Sequence, residues 1–200
     1  MRDRVGLVLV HHPTLDREGR VVTSAVTPLD VHDLARLART YGLDGLYVAT
    51  PLEAQRALVR RVLAHWTEGY GGQVNPCRRE ALERVRLCRD LAEAADAAEG
   101  RWGASPWIVA TSARGGTGRI GFAEARSRLA ALRAPALVVF GTGWGLAGEV
   151  LDACDAVLEP VRGAGPYNHL SVRSAAAIVV DRLFGREGGE TAEEAFSKGS

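Results

Sequence analysis

The sequence predicts an α/β protein with a largely parallel sheet and helices on both faces. Three observations carry that expectation. Short β-branched apolar runs recur along the chain, at 5–10, 46–50, 106–111 and 136–140. Between them lie longer segments whose apolar residues repeat at helical spacing. The two kinds of segment alternate rather than cluster, which is the pattern of parallel strands joined by crossover helices. With 200 residues, 46% of them hydrophobic, the chain can bury one sizeable core. A single domain over 1–185 is expected, then a flexible tail at 186–200 (REGGETAEEAFSKGS) that is too poor in apolar side chains to pack.

Taken in order, VGLVLV at 5–10 reads as a buried strand. The stretch HHPTLDREGRVVTSAV at 11–26 is a connection longer than compact domains usually carry, and such loops tend to be functional. At TPLD, Thr27 can cap a helix, Pro28 suits its first turn and Asp30 can complete a capping box. Apolar positions 31, 34, 35 and 38 then share a face, and Gly42 supplies the stop. TPLE at 50–53 follows the strand LYVAT and predicts the same device again, with Val59, Val62, Leu63 and Trp66 on one side of its helix. Asn75-Pro76 opens another helix, RVRLC is a short strand, and an acidic helix covers 90–99. PWIVAT is a strand, ARSRLAALR is helical, and ALVVF is the strand that leads into FGTGWGLAGEV at 140–150. A short helix with Leu146, Val150 and Leu151, a brief strand AVLEP and a last helix at about 171–184 complete the reading. That helix is apolar at 172, 175, 176, 179, 180 and 183, a face wide enough to predict close packing on another element or another subunit.

Charge excludes little: 25 basic residues stand against 24 acidic ones, so global charge does not announce a nucleic-acid binder. Cys77, Cys88 and Cys154 form no CxxC pair and have no histidine at ligand spacing, so no metal site is expected. The apolar start is too short for a signal peptide and no run reaches membrane-spanning length, which places the chain in the cytoplasm.

The glycine loop has Gly141, Gly143 and Gly145 at alternate positions, at the carboxyl end of a strand, where α/β sheets bind ligands. A dinucleotide-binding loop would follow the first strand and need several more strands after it, and only one short strand fits here. A P-loop fails because no Lys-Ser/Thr ends the motif. A tight turn using glycine for positive φ stays open. Two further loops, LEPVRG at 158–163 and YNHLSVRSAAAI at 167–178, follow closely, and Asn168 or Ser171 can cap the final helix.

Taken together, VHHP, TSAVT, LDVHDLA, HWTEGYGGQVNP, VATSAR, FGTGWGL, LEPVRG and YNHLSVRSA resemble the SAM-dependent RNA methyltransferase family of the SPOUT superfamily, over about residues 5 to 185. The resemblance implies a parallel-sheet SPOUT-type fold with helices on both faces and a C-terminal trefoil knot, binding S-adenosyl-L-methionine within the knot. It implies a homodimer that completes each active site and an RNA substrate, tRNA or rRNA. By position, Gly141, Thr142, Gly143 and Gly145 match the glycine-rich cofactor loop, Leu158 and Pro160 the second loop, and Asn168, His169, Leu170 and Ser171 the third. Thr111 and Ala113 end the preceding strand and complete the expected cofactor contacts.

Methyl transfer is mainly a positioning problem, with a base where the accepting atom carries a proton. Arg114 and His169 are the catalytic candidates, and His12, Arg162, Tyr167 and Arg173 the substrate-binding ones. Arg56, Arg60, Arg61, Arg78, Arg79, Arg84, Arg86 and Arg89 offer a basic strip for RNA, whose ordinary alternative is a solvated charged face. A Cβ at Gly143 is expected to crowd a ligand-facing backbone. A silent RNA-binding protein that kept the fold is the rival reading.

Overall fold

The structure, a computed structural model, describes residues 2–165 and 167–186. Except for Arg186, the tail expected at 186–200 lies outside the described residues. Six parallel strands make the main sheet: β1 (Val5–Val10), β4 (Gly45–Ala49), β5 (Val85–Cys88), β6 (Trp107–Ala110), β7 (Ala136–Gly141) and β8 (Ala156–Val157). Their order is β5-β4-β1-β7-β6-β8. Val10 stands opposite Ala49 on one side and Gly141 on the other, so these strands end level. Residues 11, 50 and 142 therefore start along one edge.

Alternation along β1 divides the core, because successive side chains of a strand point to opposite faces. Leu7 and Leu9 join one apolar cluster, Val8 and Val10 the other. The first face is covered by α1 (Pro28–Thr40), α2 (Glu53–Thr67), α4 (Pro76–Leu82), α6 (Phe122–Ala131) and α8 (Val172–Phe184). The second is covered by α5 (Leu91–Trp102) and the short α7 (Gly148–Asp152). Helices thus lie on both faces, as the alternating pattern requires.

Helix α1 buries Val31, Leu34, Ala35 and Ala38, the four positions that helical spacing selects. Thr27 caps it, accepting from the Asp30 amide at 3.2 Å. The Thr27 hydroxyl in turn donates to the Asp30 carboxylate at 2.7 Å, so Asp30 engages the cap through its side chain. Asn75 caps α4 and Asp90 caps α5 in the same way. The device does not repeat at TPLE. Helix α2 begins at Glu53 with no side-chain cap, and only Val59 of its expected stripe is fully buried. Thr50 stays with the sheet, its amide donating to Cys88 O at 3.0 Å and its hydroxyl accepting from Leu52 N at 3.4 Å, and the cap position falls to Leu52 two residues later.

A short helix and a two-stranded hairpin were not legible in the sequence. A single turn, α3 (Tyr70–Val74), precedes α4. The long connection 11–26 contains an antiparallel pair, β2 (Thr14–Leu15) and β3 (Val21–Val22). Asp16 makes its turn, accepting from the amides of Glu18 and Arg20 at 2.9 Å each. The wide apolar face of α8 is used inside the chain. Ala176, Val179, Val180, Leu183 and Phe184 are buried against the first cluster, so this face needs no second subunit to account for it.

Candidate active site

The glycine loop leaves β7 beside the end of β1. The Thr142 hydroxyl donates to Val10 O at 3.1 Å, tying the loop to the sheet edge. A Cβ at Gly141 would stand 2.8 Å from the Leu146 amide nitrogen, so only glycine lets the loop fold back here. Gly143 has φ +60°, and its Cβ would meet Leu15 O at 3.0 Å. Within the chain itself, what crowds that position is the hairpin, so backbone strain adds to the crowding of a ligand expected there.

The hairpin explains the length of the 11–26 connection. Leu15 N donates to Gly145 O at 2.9 Å, Trp144 N to Leu15 O at 3.0 Å and Ala147 N to Pro13 O at 3.2 Å. Behind this ladder, Ser24 Oγ contacts both His11 Nδ1, at 3.1 Å, and the Thr142 hydroxyl. His11 is 0% exposed and its Nε2 has no partner among the described residues. Burial pushes its pKa down to about 4, with Asp30's charge opposing, so the ring stays neutral in the network at physiological pH.

The other two loops close the opposite side. After β6, Thr111 Oγ1 donates to Val139 O at 3.0 Å. The chain then turns and returns as Ile120, whose amide donates to Val157 O at 3.0 Å while Glu159 N donates to Ile120 O at 2.9 Å. Asn168 Nδ2 reaches across to Ala113 O at 3.0 Å, joining the segment after β6 to the third loop. Ser171 is the cap of α8, accepting from Ser174 N at 3.2 Å.

These loops enclose a cavity of about 570 Å³, within the range of small-molecule sites, roughly 300–1,000 Å³. Phe140, Leu146, Ala175 and Val179 give it an apolar lining. The glycine-loop residues Gly141, Thr142, Gly143 and Gly145 line it, as do Thr111 and Ala113 just after β6. From the third come Asn168, His169, Leu170 and Ser171. Arg114 lines it too, its Nη2 donating to Trp144 O at 3.4 Å. His169 stands edge-on to Trp144, ring centroids 4.8 Å apart, and Tyr167 lies tilted to it at 6.0 Å.

Six candidates are not on the lining. Leu158 and Pro160 are buried in the wall. His12 contacts Thr23 Oγ1 at 2.9 Å beside the hairpin. Arg173 binds Asp30 and Asp33 at 3.4 and 3.5 Å, an ion pair that joins α8 to α1. Arg162 and Tyr167 are exposed, Tyr167 by 80%. The basic strip is also largely engaged: Arg56 and Arg60 pair with Glu53, Arg79 with Glu83, Arg86 with Asp44 and Arg89 with Glu93. Arg78 lies over the Trp66 ring at 4.8 Å.

Sequence reasoning missed Ser24, Asp30, Arg119 and Glu159 as lining residues, and left Trp144's side open. Glu159 lies within LEPVRG and was within reach of the motif. Ser24 and Arg119 carried no local signal, because long-range pairing brings them to the cavity.

A partly apolar cavity of this size, bordered by a glycine loop and a small set of polar and charged side chains, suits a small organic ligand. Residues 4–185 match the sequence model of a family described as SAM-dependent RNA methyltransferase. The chain is 49% identical over 177 residues to a protein of Nitratidesulfovibrio vulgaris (strain Hildenborough) named tRNA (guanine-N(1)-)-methyltransferase, covering 88% of this chain and 41% of that one. A protein of the same name from Oleidesulfovibrio alaskensis is 47% identical over the same shares. The chain thus spans less than half the length of these two curated relatives. Among solved structures, a probable methylase family protein from Haemophilus influenzae Rd KW20 superposes with TM-score 0.61 at 18% identity, over 98% of this chain and 76% of that one. The SpoU methyltransferase AviRb from Streptomyces viridochromogenes does so with TM-score 0.56 at 16% identity, over 92% and 60%. At such identities the likeness concerns the fold. Family match, identity and fold agree: the chain belongs to the SAM-dependent RNA methyltransferase family, on the parallel α/β fold of the SPOUT methyltransferases.

Proposed function

We propose that this chain transfers a methyl group from S-adenosylmethionine to a tRNA nucleotide. The observation that carries the reading is the single cavity bounded by all three loops at the carboxyl edge of the sheet. The names of the two curated relatives support tRNA as substrate. Their guanine N1 specificity is not carried over to a chain that spans 41% of each. Such a substrate fits a protein of the cytoplasm; among the described residues no helix is long and apolar enough to cross a membrane.

When bound, the cofactor supplies an electrophilic methyl group on a sulfonium. Gly141, Thr142, Gly143, Gly145, Thr111, Ala113, Asn168, Leu170 and Ser171 would hold it, with Leu158 and Pro160 backing the wall. Transfer needs the accepting atom in line and about 3 Å from the methyl, so the chain's main task is orientation and exclusion of water. Arg114 keeps its charge and can only donate, which suits fixing a phosphate or hydroxyl oxygen at the mouth. His169, held edge-on by Trp144, is positioned to accept the proton that a ring nitrogen or ribose hydroxyl releases. Arg162 and Tyr167, exposed beside the mouth, serve the RNA, whereas His12 and Arg173 act by holding the hairpin and α8 in place.

Two finer features belong to the same proposal. Loop 111–121 is bonded to the 157–159 segment and, through Asn168, to the chain before α8, and this clasp supports a knotted passage of the C-terminal segment. Leu29, Trp144, Tyr167 and Leu170 are large apolar residues left exposed, and Trp144 and Leu170 border the cavity. A second copy covering them would complete the site.

Nucleoside mass spectrometry of unmodified tRNA incubated with the protein and S-adenosylmethionine tests the activity. One methylated nucleoside is expected, lost in Arg114→Ala and His169→Ala. Cofactor binding with no product from tRNA or rRNA would favour the silent RNA-binding reading, and failure to bind cofactor would remove the methyltransferase reading. Light scattering should find twice the 21.4 kDa chain mass; a stable monomer would end the dimer proposal.

A further inference from the structure

We infer that Arg119 is the anion-binding residue of the cofactor site and takes the carboxylate of the methionine moiety, an inference that rests on the cofactor reading above. Arg119 lines the cavity. Its Nη1 is buried and has no hydrogen-bond partner among the described residues. A guanidinium keeps its charge in proteins, and leaving a buried donor of that charge unmatched costs free energy that an anionic ligand recovers. Other arginines of the chain show the usual remedy: Arg86 and Arg101 share the Asp44 carboxylate, and Arg173 binds Asp30 and Asp33.

The loop holds this side chain in place. Gly118, at φ +72°, makes the turn that reverses the chain before Arg119. Ile120, the next residue, is fixed by hydrogen bonds on both sides, to Val157 and from Glu159. The guanidinium lies against Gly116, where a Cβ would stand 3.4 Å from Nε and 3.6 Å from Nη2. The positive group is therefore anchored at the cavity by a backbone whose neighbours are pinned.

Electrostatics chooses the anion. A sulfonium cofactor carries its own positive charge, so a guanidinium with a buried nitrogen in its pocket is best matched by the ligand's negative end, the α-carboxylate, which fits its forked donors. An RNA phosphate is the weaker partner, because Arg119 Nη1 is buried whereas Arg114 and Arg162 offer exposed guanidiniums near the mouth.

The test compares two ligands by calorimetry on the full chain: S-adenosylhomocysteine, which carries the carboxylate, and 5′-methylthioadenosine, which shares the adenosine and thioether but lacks the amino-acid end. Arg119→Gln should weaken S-adenosylhomocysteine at least tenfold and leave methylthioadenosine within twofold; Arg119→Lys should recover part of the loss. Unchanged methylthioadenosine binding also reports that the variant folds, and should Gln misfold, the Lys variant carries the comparison. Equal weakening of both ligands would overturn the inference in favour of a structural role. So would undiminished S-adenosylhomocysteine binding, whether or not tRNA affinity falls. If the wild-type protein binds neither ligand, the cofactor reading fails and this inference falls with it; binding of both by wild type with no discrimination in the variant sinks this inference alone.

Discussion

His11 is closed off at the end of β1 with one ring nitrogen on Ser24 and the other unpartnered among the described residues. Its folded pKa of about 4 lies below the ordinary 6.5, so the unfolded chain binds the extra proton first. Stability from this residue is therefore complete above about 6.5 and is lost as pH falls towards about 4. The wild-type unfolding free energy should drop in that window by up to about 1.4 kcal/mol per pH unit from this group. His11→Gln, compared by urea unfolding at several pH values, should show a shallower slope; an identical slope would dismiss the buried neutral ring. At Gly143 the constraint is conformational. Gly143→Ala places a side chain at φ +60° against Leu15 O, which should cost about 1–2 kcal/mol. A lowered urea midpoint together with weakened S-adenosylhomocysteine binding is expected, and unchanged values of both would refute the strain.

Between elements, Asp44 is the polar tie of the β5 side of the sheet. It is 2% exposed and accepts from Arg86 at 2.8 Å and Arg101 at 2.9 Å, linking the entry of β4 to β5 and α5. Asp44→Ala should lower stability by about 2–3 kcal/mol, since two guanidiniums lose a shared buried partner. Both arginines keep some solvent contact, so the loss stays below that of a fully buried pair. Chemical denaturation measures it, and a change under 0.5 kcal/mol would show the tie to be dispensable. The same elements show how far local pattern reaches. Thr27 and Thr50 stand before nearly identical words, TPLD and TPLE, yet only Thr27 caps a helix. Thr50 differs because it stays with the sheet just past β4, its amide donating to Cys88 O on β5, and its helix starts only at Glu53 with Leu52 in the cap position. Spacing found the buried face of α1 because that helix lies flat on the core; it overstated α2, whose stripe meets smaller elements and is only partly covered.

Across the whole molecule, packing sets which groups remain reactive. Burial pushes the Cys88 and Cys154 thiols up to about 12 each, while Cys77 is exposed. A thiolate is the reacting species. Titration with a chromogenic disulfide at pH 8 should find one thiol in the native protein and three after denaturation. Two or more fast thiols in the native state would mean that the α5 and α7 side of the sheet opens readily.

The main alternation of strands and helices, the caps at Thr27 and Ser171, the helix start at Asn75-Pro76, the buried face of α1 and the family were legible in the linear chain. They depend on side-chain periodicity, on hydrogen bonds that span three residues, and on motifs that lie within single loops. Long-range packing set the rest. The hairpin at 11–26 lies on the glycine loop, Ser24 meets Thr142 across 118 positions, and Arg119 lines the cavity while Arg173 turns to α1. Those meetings follow from the strand order β5-β4-β1-β7-β6-β8, which sets the end of β1 against the end of β7. Local periodicity says which residues face a core, not which strand will stand beside which, and the cavity is made where those neighbours meet.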